Sequence, residues 1–477
     1  MRICLILEGS YPYVRGGVSS WTNGYIKSMP EHEFVLWLIG SDSKKRGIFK
    51  YEIPENVVEI HEVFLDDALK APPVKKTRKN QRLNELEIAE HKKLIQNQFF
   101  DLEIVTRLYN QKKMNINTFL MSDAFLDIIL EMCHLEFPYV PMTELFHTMR
   151  SMFLPALYMM SQEVPYADVY HAVSTGYAGL LGAAAKVTTN KPFIITEHGI
   201  YTREREEEVI RAEWISPYFK QHWIDLFYMI ARLSYQHASS VTSLFESAKN
   251  TQRILGCDNH KLKVIRNGIQ VEQFRNIPLK EEDDYIDIGA IVRFHPIKDI
   301  KTMIYAFFEL KRQVPKARLH ILGDVDDPEY YQECTELIKI LKIPDILIQG
   351  TVDVRKYLEL LDFTILTSIS EGQPLSIIES LAARRPCITT DVGCCKELLG
   401  GTGNDRLGEA GLIVPPMFPQ RLAAAMEKLC NSPQLQKEMG EIGRQRVLQY
   451  YDSIDMINQY QSNYQEVVTK WQESVLS

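Results

Sequence analysis

The sequence predicts an α/β protein of two doubly wound parallel-sheet units, the first of them carrying a helical insertion. Three observations predict it. Short apolar runs rich in β-branched residues alternate with helical periods, and the alternation occurs twice along the chain. The runs are apolar nearly throughout rather than at every second position, as in strands covered by helices on both faces. Finally, the chain has 477 residues, 45% of them hydrophobic, enough for two to four domains at about 150 residues each.

In the first half, strands are expected at Arg2–Leu7, Glu33–Ile39, Val57–Phe64, Val169–Ser174, Phe193–Glu197, Ser239–Ser243 and Leu262–Ile265. Helices such as Val18–Ser28 and Tyr177–Lys186 separate them. Residues 66–160 break this alternation: rich in Lys, Gln, Asn, Met and Phe, they have helical but no strand periodicity and open with a turn-like APPVKK at Ala71–Lys76. The boundary is expected at Asn276–Asp284, where NIPLKEEDD is polar, contains Pro278 and ends in acids. In the second half, strands are expected at Tyr285–Val292, Ala317–Leu322, Ile346–Gln349, Phe363–Thr367, Cys387–Thr390 and Gly411–Val414. Helices Ile300–Arg312, Pro328–Leu341 and Pro374–Ala383 lie between them, and everything from Gln420 reads as helix. The expected division is therefore 1–275, 285–450, and a terminal helix over 451–477 that crosses back to the first unit.

Composition excludes several classes. Net charge is −8, so no overall field attracts nucleic acid, although a local pocket for one small anion remains open. The apolar run Ile3–Leu7 is too short for a secretory signal, and no uncharged apolar run reaches a membrane span, which points to a chain made in the cytosol. Eight cysteines without a C-x-x-C pair are expected to be free thiols.

The chemistry gathers on loops that follow strands. After the strand ending at Thr367 comes a Ser-rich turn, then Glu371, Gly372, Gln373 and Pro374, then a helix carrying Glu379. Such a turn, at the carboxyl edge of a parallel sheet, presents free N–H groups and the positive end of a helix dipole. Carboxylates accept well from the vicinal hydroxyls of ribose or hexose; taken alone, Glu371 reads equally as a solvated loop acid and Glu379 as a helix surface residue. Arg293-Phe-His-Pro-Ile-Lys298 puts two cations on another such loop, able to neutralise a diphosphate or simply to face solvent. In the first unit, Gly16 and Gly17 precede a helix and allow close backbone approach to a ligand. His198, in Thr196-Glu197-His198-Gly199, sits where a strand ends and can meet a sugar hydroxyl or serve structure alone. Asn267-Gly268 is turn chemistry, and the run Arg203–Glu208 reads as a solvated helix face. The spacing of the glycines does not match G-x-G-x-x-G, and no triad, zinc set or Walker loop is present. A nucleotide-sugar lying between the two units would use all of these loops.

In this combination the sequence resembles the retaining glycosyltransferases of family 4, which have the GT-B fold of two Rossmann-like domains facing across a cleft. Glu371 and Glu379 match that family's E-x7-E, Arg293 and Lys298 its Arg-x4-Lys, Gly16 and Gly17 its glycine loop, and His198 its His-Gly. More narrowly, LEGSYPYVRGGVSSW, DVDDPEYYQEC, TSISEGQPLSIIES and TTDVGCCKELLG resemble the transferases of Pel exopolysaccharide biosynthesis. The resemblance implies a UDP-sugar donor, UDP-glucose for this subgroup, a saccharide acceptor, and transfer with retention. It implies that Arg293 and Lys298 hold the diphosphate, that Glu379 binds ribose, and that Glu371 and His198 lie by the donor sugar. Gly372, Gln373, Pro374 and Leu375 would form the turn whose Gln373 and Leu375 amides meet the sugar hydroxyls, and Gly16 and Gly17 would approach the phosphates. It implies no cofactor and no bound metal, and a cytoplasmic place at the inner face of the membrane beside polysaccharide synthase or export subunits. Three positions depart from the family pattern. Pro374 stands where Gly is common, Arg384 stands at a helix-ending Gly position, and Cys394-Cys395-Lys396 replaces Gly-x-Pro before Glu397. Two other readings stay open: a relative with a GDP- or ADP-sugar donor or a different acceptor, and an inactive sugar-nucleotide-binding subunit of a membrane synthase complex.

Overall fold

The structure is a computed structural model that describes residues 1–14, 16–70, 83–112, 114–403 and 405–476. Its contacts divide the chain into two compact units. The first holds Met1–Ser243, Ala248–Val264 and the chain from Tyr460 onward; the second holds Leu244–Ser247 and Ile265–Gln459.

In the first unit the apolar runs form β1 (Arg2–Glu8), β2 (Glu33–Gly40), β3 (Val57–Phe64), β4 (Val169–Ala172), β5 (Phe193–Glu197), β6 (Ser240–Ser243) and β7 (Leu262–Val264). They pair in parallel in the order β3-β2-β1-β4-β5-β6-β7, with Cys4 opposite Val35 and Leu5 opposite His171. Ile3 to Leu7, Phe34 to Ile39 and Phe193 to Ile195 are all buried, because helices cover both faces. The expected insertion is helical: Glu85–Ile95, Leu102–Asn110, Ile116–Leu120, Asp123–Leu135 and Met142–Met160. Asn84, Asp101, Asn115 and Ser122 each cap one of these helices through a side-chain oxygen. Met149, Met152, Phe153 and Leu157 then carry the insertion into the same core as Trp37 and Val105. The turn expected at Ala71–Lys76 lies outside the described residues.

The second unit contains β8 (Ile286–Ile291), β9 (Ala317–Leu322), β10 (Ile346–Gly350), β11 (Phe363–Leu366), β12 (Cys387–Thr390) and β13 (Gly411–Val414), parallel and ordered β10-β9-β8-β11-β12-β13. The α/β reading with two doubly wound sheets and a helical insertion is thus the observed architecture.

The chain passes from one unit to the other at Val264–Ile265, ahead of the polar segment that composition singled out. Backbone contacts explain the place. Ile269 N–H donates to Tyr451 O at 2.9 Å, and Ser453 N–H donates to Ile269 O at 2.9 Å. A Cβ on Gly268 would come within 2.4 Å of the Asp452 carbonyl carbon, so only glycine permits this approach. Further on, Arg384 and Arg385 donate to the carbonyls of Ile277 and Pro278 at 3.0 and 2.6 Å. Arg384 has φ 61°, a left-handed conformation that costs a non-glycine residue about 1 kcal/mol. The last helix, Ser453–Leu476, starts in the second unit and buries Tyr460 and Tyr464 in the first.

All eight cysteines are free. Burial pushes the Cys387 and Cys395 thiols up to about 12. Among the described residues, no helix is long and apolar enough to cross a membrane.

Candidate functional site

In the second sheet β8 and β11 are neighbours, yet the chain leaves them toward opposite sides, so the loops at their carboxyl ends part and leave room for a ligand. The loop after β8 runs through Arg293 to the single turn Pro296–Lys298. The loop after β11 runs from Thr367 to Pro374. Two bonds lace them together: Ile369 N–H donates to Ile297 O at 2.8 Å, and the Thr367 hydroxyl donates to Lys298 O at 2.8 Å. This lacing brings the Lys298 ammonium to 2.5 Å from Glu371 Oε1, which also accepts from the Ser368 hydroxyl at 2.5 Å. Both side chains are largely shielded, at 18% and 11% exposed.

Arg293 is not part of that pair. It turns to Asp326, and both remain substantially exposed. Sequence alone could not have supplied this partner, since Asp326 lies on the loop after β9 and reaches Arg293 only through strand pairing. Gly372 O accepts from Cys394 N–H at 3.1 Å, and a Cβ on Gly393 would stand 2.1 Å from Glu371 O. With φ +54°, Gly393 is the residue that lets the following turn press against Glu371 and Gly372. The Gln373 side chain is spent on structure: its Oε1 accepts from Asn267 N–H at 2.9 Å and its Nε2 donates to Asn267 O at 3.3 Å. Pro374, expected as the first helical residue, stands one place earlier as the N-cap, because its ψ of 112° is extended. The helix is Leu375–Ala382, and no side chain caps its first amides. Glu397, carried over only by resemblance, accepts from the Glu246 and Ser247 amides at 3.1 and 3.0 Å.

Glu379 lies on that helix beside a hollow of about 400 Å³ walled by Ile269, Phe274, Val352 and Val354, with the Gln273–Arg355 hydrogen bond alongside. Burial raises the Glu379 carboxyl to about 7. Near neutrality it therefore both accepts and donates hydrogen bonds.

In the first unit, Gly16 caps the helix Gly17–Lys27 with extended backbone, no side-chain cap and no acid in the first turn. A Cβ built on Gly16 or Gly17 meets nothing within 4 Å among the described residues, so the fold itself does not require glycine at either position. Trp21 on this helix meets His198 edge-on, with ring centroids 4.4 Å apart. Burial drives the His198 imidazole down to about 4, so it is neutral, and its Nε2 has no partner among the described residues. Two carboxylates at the same edge escaped the sequence reading. Glu8, at the end of β1, accepts from Tyr201 OH at 2.8 Å and Ala178 N–H at 3.1 Å. Glu197, at the end of β5, accepts from Thr175, Tyr235 and Gln252. Burial raises both carboxyls above their usual range. The available signal was an acid closing an otherwise apolar strand. The Arg203–Glu208 run, expected to be a solvated face, also contributes here: Arg205 lies over the Tyr201 ring at 5.0 Å, and Glu206 accepts from Tyr228 OH.

Residues 1–260 match the family described as "Domain of unknown function (DUF3492)", and residues 286–432 match "Glycosyl transferases group 1". Among curated relatives, the putative glycosyltransferase EpsD of Bacillus subtilis is 26% identical over 43% of this chain and 55% of its own length. The capsular polysaccharide biosynthesis glycosyltransferase CapM of Staphylococcus aureus is 25% identical over 61% of this chain and 74% of its own length. The chain thus spans about half the length of EpsD and about three quarters of CapM. Among solved structures, HepE of Anabaena in complex with UDP superposes with a TM-score of 0.61 at 14% identity, covering 98% of this chain and all of that one. Its complex with UDP-glucose gives a TM-score of 0.60 at 14% identity, over 97% and 99% of the two chains. At that identity the likeness concerns the fold, which is GT-B. A first unit matched over more than half of the chain, followed by a group 1 transferase unit, shows that the chain belongs to the DUF3492 family and carries a glycosyltransferase group 1 domain in the GT-B fold.

Proposed function

We propose that this chain is a retaining hexosyltransferase of family 4 that moves glucose from UDP-glucose to a growing exopolysaccharide of the Pel type. The observation that carries the proposal is the Lys298–Glu371 pair at the point where the strand order of the second sheet reverses. A diphosphate offers Lys298 more negative charge than one carboxylate does, and Arg293 leaves its exposed partner Asp326 at little cost. Glu371, released from the ammonium, accepts from donor-sugar hydroxyls, to which the Gln373 and Leu375 amides donate. Glu379 takes the ribose hydroxyls, and the hollow beside it takes the flat base. His198 meets the sugar as a neutral ring, and the Gly16–Gly17 backbone approaches the phosphates.

In the reaction, the bond from the anomeric carbon to the β-phosphate oxygen breaks. The bond to the acceptor oxygen forms on the same face, and the acceptor proton passes to the departing phosphate. Arg293 and Lys298 neutralise the charge that develops on it, the task a metal ion performs in other transferases. The polysaccharide acceptor is supported by the resemblance to CapM, and the donor by the fold shared with HepE. The reaction is placed on the cytosolic side, next to membrane synthase and export subunits.

A panel of UDP-, GDP- and ADP-sugars in thermal-shift measurements tests this, because a ligand at 100 times its Kd adds about 2.7 kcal/mol to stability. UDP-glucose is expected to raise Tm, and Lys298→Ala is expected to lower turnover about 100-fold or more. Shifts from GDP- or ADP-sugars with none from a UDP-sugar reject the donor. Transfer that survives both Lys298→Ala and Glu371→Ala rejects the site.

A further inference from the structure

Tyr460 and Tyr464 stand one turn apart on the last helix, and both are buried in the first unit. Tyr464 is held by hydrogen bonds: Tyr25 OH donates to its hydroxyl at 2.7 Å, and His171 Nδ1 lies 2.6 Å from the same oxygen. Tyr460 is held by its hydroxyl and by its ring. The Thr196 and Thr242 hydroxyls face its OH, Thr196 at 3.3 Å, while the ring meets Tyr25 edge-on at 5.1 Å and Trp21 at 5.8 Å. Trp21 in turn stacks on Tyr25 at 4.6 Å and abuts His198 at 4.4 Å. Tyr25, from within the same helix, and Tyr460, from outside it, both pack against the indole. His198 needs that support, because no hydrogen bond fixes its Nε2 among the described residues. Packing against Trp21 therefore contributes to the orientation of the imidazole.

We propose that Tyr460 is a positioning residue: through Trp21, it holds the His198 ring in the orientation that meets the donor sugar. The inference rests on the reading of His198 given above. The last helix thereby contributes to the first unit's ligand-facing edge as well as closing its core.

The test is a double-mutant cycle on the full chain, read as UDP release from UDP-glucose, with Tm as the folding control. Tyr460→Leu is expected to lower kcat about tenfold with donor KM changed less than about twofold, since a misplaced contact costs the transition state more than the ground state. Tyr460→Phe keeps the ring and is expected to stay within about twofold of the parent; in the His198→Ala background, Tyr460→Leu should cost almost nothing further. Should Tyr460→Leu unfold, Tyr460→Met takes its place in the cycle. Phe as poor as Leu, full activity of Tyr460→Leu, or losses that multiply in the double variant each overturn the proposal. Full activity of His198→Ala is a separate outcome: it rejects the role of His198, and the positioning of His198 falls with it.

Discussion

At the carboxyl edge of the second sheet, Lys298 holds Glu371 and Arg293 holds Asp326. At the carboxyl edge of the first, Glu8 and Glu197 are held by phenols, a threonine hydroxyl, a side-chain amide and backbone N–H groups. The difference is one of exchangeability. The exposed Arg293–Asp326 pair contributes only about 0–1 kcal/mol, and the mostly buried Lys298 ammonium can trade one anion for another so long as it is never left unpaired. A buried network of uncharged partners has no such freedom, because any member left unmatched costs about 1–3 kcal/mol. The second edge is suited to taking up and releasing a charged group. The first keeps a fixed, hydrogen-bonded shape suited to hydroxyls.

The sharpest way to break this comparison is to force charge onto the first edge. His171 is fully buried between Tyr464 and Thr196, at 2.6 and 2.8 Å, and burial drives it from 6.5 down to about 3. A folded value below the unfolded one gives stability that is present above pH 6.5 and lost as pH falls toward 3. Between pH 7 and 4.5 the parent should lose about 2 kcal/mol more than His171→Gln, measured by urea unfolding. Equal losses would mean that the first edge is not kept neutral.

The second edge should respond in the opposite pH direction through Glu379. Its carboxyl rises from 4.5 to about 7, so its stabilising neutral form is complete below 4.5 and is lost as pH climbs through 7. Glu379→Gln should therefore be more stable than the parent by about 3 kcal/mol at pH 8 and nearly equal to it at pH 4.5. The same substitution should weaken UDP binding most at pH 8, where the ionised carboxylate accepts best from ribose. Calorimetry at two pH values checks both expectations, and a pH-independent difference would detach Glu379 from the hollow beside it.

The fold was legible in the sequence because buried parallel strands are written as unbroken apolar runs. Glu33 to Ile39, Ala317 to Leu322 and Cys387 to Thr390 leave little choice of element, and the strand ends differ by only a residue or so. The meeting of Lys298 with Glu371 was legible as two loops at one sheet edge. What escaped depends on distance in the sequence. Asp326 reaches Arg293 through strand pairing, and Tyr460 and Tyr464 sit on a tail that reads as an ordinary amphipathic helix. Their spacing of one helical turn was a signal, but it does not say which sheet they cover. Glu8 and Glu197 escaped as well, since burial cannot be seen in a residue type that usually faces solvent.

The smallest expected change in stability separates fold from function most cleanly. Gly393→Ala should be strongly destabilising, because the new Cβ would lie 2.1 Å from Glu371 O at a φ of +54°. Gly16→Ala and Gly17→Ala meet open space instead. Gly16 has extended backbone, which alanine adopts freely, and Gly17 opens a helix, where alanine is favoured. Both variants should therefore keep their stability within about 0.5 kcal/mol of the parent, or gain slightly, in chemical unfolding. If the glycines are there so that backbone can approach a diphosphate, the same methyl groups should nonetheless raise the donor KM about tenfold or more, through contacts made only when the ligand is bound. Unchanged stability with unchanged kinetics would take the Gly16–Gly17 turn out of the donor site and leave phosphate recognition to the second edge alone. A stability loss like that of Gly393→Ala would mean instead that the turn packs against the protein itself.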